Sequence, residues 1–420
     1  MPRVAPERRT RLDLTITAII VVLVVAVGVL AWYVSPVRHT DSAQAAHTPP
    51  SVDPVRTIPA AFRAAWHAHS PATTVPAVGD AVVVTGDGGT VIGRDPRTGR
   101  EIWSYRRDLA LCATATAWPG SVDSVLAVYR NSRGCSEVTA LDAKTGRRTA
   151  ARSSDADPTL RLITDSGYIV AQGPTRLETW GSNLVRGIEY GRVDAPVNPD
   201  TQPGRADCTL FSSAVSGDRV AVVERCGNEP GFRLTVLGAV LDAEEHVTQY
   251  GSSIITNGAV GAAPVIIGMS SEAITVYDGG VNTVTRSAPT IRRFNTDGAP
   301  LTANGTTVDG LPTPPPSSFP LRSETVVSYW TGVSTVVLDA DTGVARYQVP
   351  GALGPGAIMA GQLLLPSPSG ISVRDPMTGR ELRTIPLTRS GPVSGPISLR
   401  VIGDMVVETR GGDVETFVPA

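Results

Sequence analysis

"GRDPRTGREIW", residues 93–103, is the stretch on which the fold turns. It sets Asp95, Thr98, Gly99 and Trp103 in the order D-x-x-T-G-x-x-x-W. The first part of this phrase returns as LDAKTG (Asp142, Thr145, Gly146), LDADTG (Asp339, Thr342, Gly343) and VRDPMTG (Asp375, Thr378, Gly379). Each copy follows a run of β-branched residues and precedes another strand-like run, so each reads as a hairpin turn. In such a turn Asp accepts hydrogen bonds from backbone N–H groups just ahead of it, Thr bonds locally, and Gly supplies φ > 0. Trp103 is the apolar plug that follows; the other copies place Ala150, Tyr347 and Arg383 there. The phrase is read as a folding device, not as a ligand site.

Working outward, apolar β-rich runs recur between Gly, Asp, Ser and Pro. They are AVVVTG (81–86), VLAVYR (125–130), GYIVAQ (167–172), RVAVVE (219–224), PVIIGM (264–269), TVVSYW (325–330), QLLLPS (362–367) and DMVVET (404–409). None carries a sustained 3.6-residue period, and no helix is expected after residue 70. Their spacing is that of propeller blades. Asp95 to Asp142 is 47 residues and Asp339 to Asp375 is 36, while Asp142 to Asp339 is 197. Four steps of about 49 residues fill that gap, so the phrases mark blades 1, 2, 6 and 7 of an all-β, eight-bladed β-propeller over 61–420. The last blade, ending in GGDVETFVPA, supplies three strands. FRAAWHAHS (62–70) is the expected fourth, closing the ring and removing two sheet edges.

These residues resemble the repeat of the quinoprotein-alcohol-dehydrogenase-like (PQQ-like) propellers, whose blades carry an A-x-D-x-x-T-G-x-x-x-W docking phrase. The resemblance implies an eight-bladed ring. It covers both PQQ-dependent dehydrogenases and non-enzymatic members, so fold leaves function open. The dehydrogenases stack a disulfide between adjacent cysteines over the cofactor and hold a calcium ion. No two cysteines are adjacent here, and no matching set of carboxylates can be placed. No cofactor, metal or catalytic residue is therefore expected.

The N-terminus reads as a membrane segment. LTITAIIVVLVVAVGVLAWYV (14–34) is an uncharged run long enough to cross a core of roughly 30 Å as a helix. Arg3, Arg8, Arg9 and Arg11 precede it, which places 1–13 in the cytoplasm and the propeller on the extracytoplasmic side of the plasma membrane. A cleaved signal peptide ending at Ala43-Gln44-Ala45 is the rival reading, but the apolar run is longer than a signal core and ends well before that site. Residues 35–60, rich in Pro and Ala, are expected to be a tether.

Four cysteines, Cys112, Cys135, Cys208 and Cys226, fall in the exported part, which favours disulfides. Two strands around a turn at Gly217 set Cys208 opposite Cys226. Cys112 and Cys135 bracket a similar hairpin with a longer turn.

The formal charge of −2 makes nucleic acid an unsuitable partner. Lys144 is the single lysine among 37 basic residues, read as codon bias of a GC-rich, actinobacterial source. His67 and His69 share one strand face but lack further ligands, so an edge strand is the better reading than a metal site. Glu244, Glu245 and His246 form a solvated hairpin loop. DGLPTPPPSSFP (309–320) is a stiff Pro-rich insertion between blades 5 and 6. The favoured function is a non-enzymatic protein-binding or scaffold module of the cell envelope. The alternatives are a PQQ-dependent oxidoreductase and a small-ligand sensor or carrier working at the central channel.

Overall fold

The computed structural model describes residues 10–33, 35–164, 167–194, 203–227, 229–256, 262–280, 288–390 and 395–420. Its strands form eight antiparallel sheets arranged as the blades of a propeller. In blades 1 to 7 the chain runs from the innermost to the outermost strand before crossing to the next blade. Blade 2 is an example, with strands Leu111–Ala117, Ser124–Asn131, Gly134–Asp142 and Arg148–Ser153. Blade 8 is composite. Ser398–Ile402, Met405–Arg410 and Asp413–Pro419 come from the C-terminus, and Phe62–His69 adds the outer strand, with Phe62 opposite Pro419 and His69 opposite Asp413. Joining the two ends of the chain in one sheet closes the ring.

This topology gives the ring two unlike faces. The connection face carries the crossings from blade to blade. The turn face carries the hairpins between first and second and between third and fourth strands.

The core is divided among the blade interfaces. One cluster of buried side chains lies between each neighbouring pair of blades. Val84, Val91 and Trp103 of blade 1, for example, meet Val125, Ala127 and Leu141 of blade 2. Middle strands are therefore covered on both faces, which is why Ser124–Asn131 reads as an almost unbroken apolar run and shows no alternation. Outer strands such as Glu101–Arg107 alternate between buried and exposed positions. Seven of the eight apolar runs are second strands. The exception is PVIIGM, the innermost strand Val265–Met269 of blade 5, whose second strand is Ile274–Asp278.

Both disulfides form. Cys208 pairs with Cys226 directly across a hairpin. The bridge from Cys112 to Cys135 differs from the single hairpin expected, because Cys135 begins the third strand of blade 2, two hairpins along. A bulge at Cys112 in the first strand lets the bridge form around the end of the second.

The N-terminal apolar helix spans Arg11–Tyr33, is long and apolar enough to cross a membrane, and exposes every described side chain. Arg3, Arg8 and Arg9 lie outside the described residues. The stretch 35–60, expected as a free tether, instead lies against the ring. Thr40–Ala43 joins blade 1 as a fifth strand, with Thr40 opposite Arg107, and His39 Nδ1 sits 3.0 Å from Asp108. The chain then crosses the turn face. Ala45 N–H donates to the Thr145 carbonyl at 3.0 Å, and Val52 N–H to the Asp80 carbonyl at 2.8 Å. The physical reason is edge pairing: Thr40–Ala43 satisfies backbone groups that the outer strand of blade 1 would otherwise leave open.

Candidate functional site

The four D-x-x-T-G phrases stand on the turn face of blades 1, 2, 6 and 7, between third and fourth strands. In the first copy the Asp95 carboxylate accepts from the N–H groups of Arg97 and Thr98 and from the Thr98 hydroxyl, at 3.0, 2.9 and 2.9 Å. The Thr342 N–H and hydroxyl reach Asp339 in the same way, at 2.7 and 2.8 Å. Those two bonds, with help from Arg346, hold the Asp339 carboxyl down to about 2.

The plug belongs to the next blade. Trp103 leaves blade 1 and donates its indole N–H to the Ala143 carbonyl of blade 2 at 2.8 Å. Gly146, at φ +69°, lies so close under that ring that an added Cβ would come within 2.7 Å of it. Glycine here meets both a left-handed backbone and a close approach. Tyr347 of blade 6 serves Gly379 of blade 7 likewise and donates to the Pro376 carbonyl at 2.9 Å. Sequence reasoning missed the plug for blade 1. It is Trp66, in the closing strand, which donates to the Pro96 carbonyl at 2.8 Å and covers Gly99. The signal was available, since Trp66 sits in the strand expected to close the ring. Arg383, in the fourth plug position, faces the composite blade 8 and donates to the carbonyls of Ile58 and Pro59, each at 3.0 Å. There it holds the chain just before the closing strand.

Blades 3, 4, 5 and 8 lack the phrase, and blades 3, 4 and 8 hold buried ion pairs near the connection face. Glu408 is fully buried and receives Arg389 through two nitrogens, at 2.9 and 2.8 Å. Burial raises its carboxyl, with Arg389 opposing that shift. Glu224 is equally buried. It accepts from the Tyr190 hydroxyl at 2.8 Å and the Thr235 hydroxyl at 2.6 Å, with Arg205 at 3.7 Å. Burial raises this group too. Glu178 accepts from Arg176 at 2.7 Å and the Trp180 indole at 2.9 Å, with Arg152 at 3.3 Å. Burial would raise Glu178, but these neighbours and the Ser154 hydroxyl outweigh it and lower the group. The small cleft beside Glu178, between blades 2 and 3, holds only about 20 Å³, room for roughly one water. It is a packing feature of the interface and too small for a cofactor.

Cys208, Cys226 and Glu224 come close enough to resemble a metal set, but both sulfurs are committed to the disulfide. His67 and His69 are exposed on the outer strand of blade 8, and His69 pairs with Asp413 at 2.8 Å. Glu244, Glu245 and His246 form a turn-face hairpin in which Asp242 accepts from the N–H groups of Glu244 and His246.

The Pro-rich insertion precedes the innermost strand of blade 6. The guanidinium of Arg161, on the innermost strand of blade 3, lies 5.3 Å from the centre of the Phe319 ring. Blades 3 and 6 are not neighbours, so that contact spans the axial opening.

Fold and site together define an eight-bladed β-propeller with an N-terminal apolar helix. No family model matches the chain, and no curated protein matches it. Among solved structures it is similar to the computationally designed Ika8 protein, at 14% identity, with 88% of this chain and 98% of that one covered and a TM-score of 0.51. The dihydro-heme d1 dehydrogenase NirN in complex with DHE is matched at 14% identity, over 84% of this chain and 78% of that one, with a TM-score of 0.49. The N-terminal domain of Nup159 is matched at 8% identity, over 89% and 99%, with a TM-score of 0.46. The likeness to the designed protein is one of fold alone.

Proposed function

We propose that this protein is a membrane-anchored, non-enzymatic scaffold of the cell envelope, on the extracytoplasmic side, whose turn face binds a partner protein. The observation that carries this reading is the way the helix is joined to the ring. Six residues separate Tyr33 from Thr40, where the chain becomes a hydrogen-bonded strand of blade 1 and enters from the connection face. Six residues span at most about 22 Å, so a membrane-spanning helix would hold the connection face near the bilayer and present the turn face outward. Exposed apolar side chains are spread around that outward face: Val122, Val185, Val344, Met377 and Leu382. A rigid ring with apolar tips on its loops suits protein recognition. The two disulfides fit an oxidising compartment.

Cross-linking in intact cells, followed by capture of the full-length chain, tests the reading. A reproducible envelope partner, lost when Met377 and Val344 are both changed to Asp, is the expected result. Capture that is indifferent to those changes would overturn the turn face as the binding surface. A PQQ-dependent oxidoreductase is the competing class. Dye reduction by the protein titrated with PQQ and calcium would replace the scaffold reading.

A further inference from the structure

Among the described residues, two arginines of innermost strands have no carboxylate partner. Arg161 stands half-buried on the innermost strand of blade 3, and its guanidinium has neither a hydrogen-bond acceptor nor a carboxylate partner among the described residues; it lies against the Phe319 ring. A guanidinium held over a ring keeps its in-plane N–H groups available for acceptors. Next to Phe319, Ser318 is 6% exposed and its hydroxyl has no partner among the described residues. Tyr329, 1% exposed on the second strand of blade 6, lies within electrostatic range of Arg161, and its hydroxyl has no hydrogen-bond partner among the described residues. Burial pushes its hydroxyl up, so it stays protonated and able to donate. A second cation without a carboxylate partner among the described residues, Arg400, is half-buried on the innermost strand of blade 8, where burial pulls it down to about 10.

Other buried arginines among the described residues are paired. Arg389, Arg410 and Arg176 each meet a carboxylate within 2.8 Å. A half-buried cation, beside two hydroxyls without partners among the described residues, is unfavourable unless an acceptor enters. Arginine suits planar, two-pronged binding of carboxylate or phosphate.

We propose that the channel mouth beneath the Pro-rich insertion is a binding site for a small carboxylate- or phosphate-bearing molecule, with Arg161 as its charge partner, the Ser318 and Tyr329 hydroxyls as further donors, and Phe319 as one wall. Segment 312–320 then acts as the roof of the site, and Phe319 over Arg161 is the contact that a ligand shares or replaces. The site stands apart from the turn face and does not depend on partner binding there.

Calorimetric titration of the full-length protein in detergent, with succinate in one arm and inorganic phosphate in the other, tests this. Binding in at least one arm is expected, and which arm responds separates the two chemistries. Arg161→Gln should weaken binding at least tenfold and Ser318→Ala by a smaller factor, with Arg97→Gln on the turn face leaving it unchanged. Absence of heat in both arms, or equal binding by the wild type and Arg161→Gln, would overturn the proposal. Unfolding midpoints of each variant measured alongside keep loss of binding distinct from loss of fold.

Discussion

Blades 1, 2, 6 and 7 and blades 3, 4 and 8 hold the same ring together by different means. In the first group the device is local and repeated. A five-residue turn is locked by its own Asp and Thr and is capped, where the preceding blade supplies an aromatic, by Trp66, Trp103 or Tyr347. In the second group the device is a buried ion pair assembled from distant positions, such as Arg389 with Glu408 and Arg205 with Glu224. The local device depends on hydrogen bonds at the surface and on aromatic packing. The distant one depends on complete pairing of charge away from water, where removing one partner costs far more than the pair itself contributes. A propeller tolerates both because each blade interface needs only a good fit with its neighbour.

The largest expected effect lies at Glu408. Arg389→Ala leaves a fully buried carboxylate unpaired and should lower unfolding free energy by about 3–5 kcal/mol in urea titration. Replacing Arg389 and Glu408 together by Met and Leu should recover most of that loss. If the double variant is as unstable as the single one, the charge is not what makes the site costly.

In the other group the largest single effect belongs to Trp103. Trp103→Ala removes a fully buried indole and should cost about 3–4 kcal/mol. A loss below about 1 kcal/mol would mean that the plug contributes nothing beyond filling surface. Opening the bridge between Cys208 and Cys226 by replacing both with Ser should cost about 2–4 kcal/mol, since the loop it closes is short. Intact-mass alkylation without reductant should label no cysteine.

The smallest effect sharpens the contrast by its sign. Asp339 is held down to about 2 in the folded chain, by the Thr342 bonds first. Its contribution is therefore fully present above about pH 4, the ordinary carboxylate range, and is lost as pH falls toward 2. Glu408 is raised by burial, so the folded chain binds more protons there and stability falls as pH rises through that raised value. Unfolding midpoints measured from pH 2 to 7 should lose part of their acid limb in Asp339→Asn, at a cost of about 1 kcal/mol near neutrality. Glu408→Gln should flatten the opposite slope. Parallel profiles for the two variants would contradict the division between the groups.

Much of the fold was legible because its signals are local. Four copies of one turn, spaced as blades, place Asp95, Asp142, Asp339 and Asp375 where the structure has them. The closing strand was legible from a shortage, since the last blade lacked one strand and the start of the chain offered it. The Cys208–Cys226 pairing followed from hairpin register alone. The candidate site was far less legible. DGLPTPPPSSFP reads as a stiff loop, and nothing in its composition says that it crosses the ring to Arg161. Residues 35–60 misled for a related reason. Thr40–Ala43 is too short and polar to announce itself as a strand, and it becomes one only because blade 1 offers an open edge.

By itself the sequence determined the repeat, the ring closure, an apolar helix at the N-terminus and one disulfide register. Each of these is written in residues near one another or in a fixed period. Only the tertiary structure decided which plug serves which turn, which buried arginine meets which glutamate, and which arginine lies against an aromatic ring. Those pairings join positions far apart in the chain, and they exist because closing the ring sets blade against blade around a common axis. Ring closure also sets Arg161 against an aromatic ring, with no carboxylate partner among the described residues.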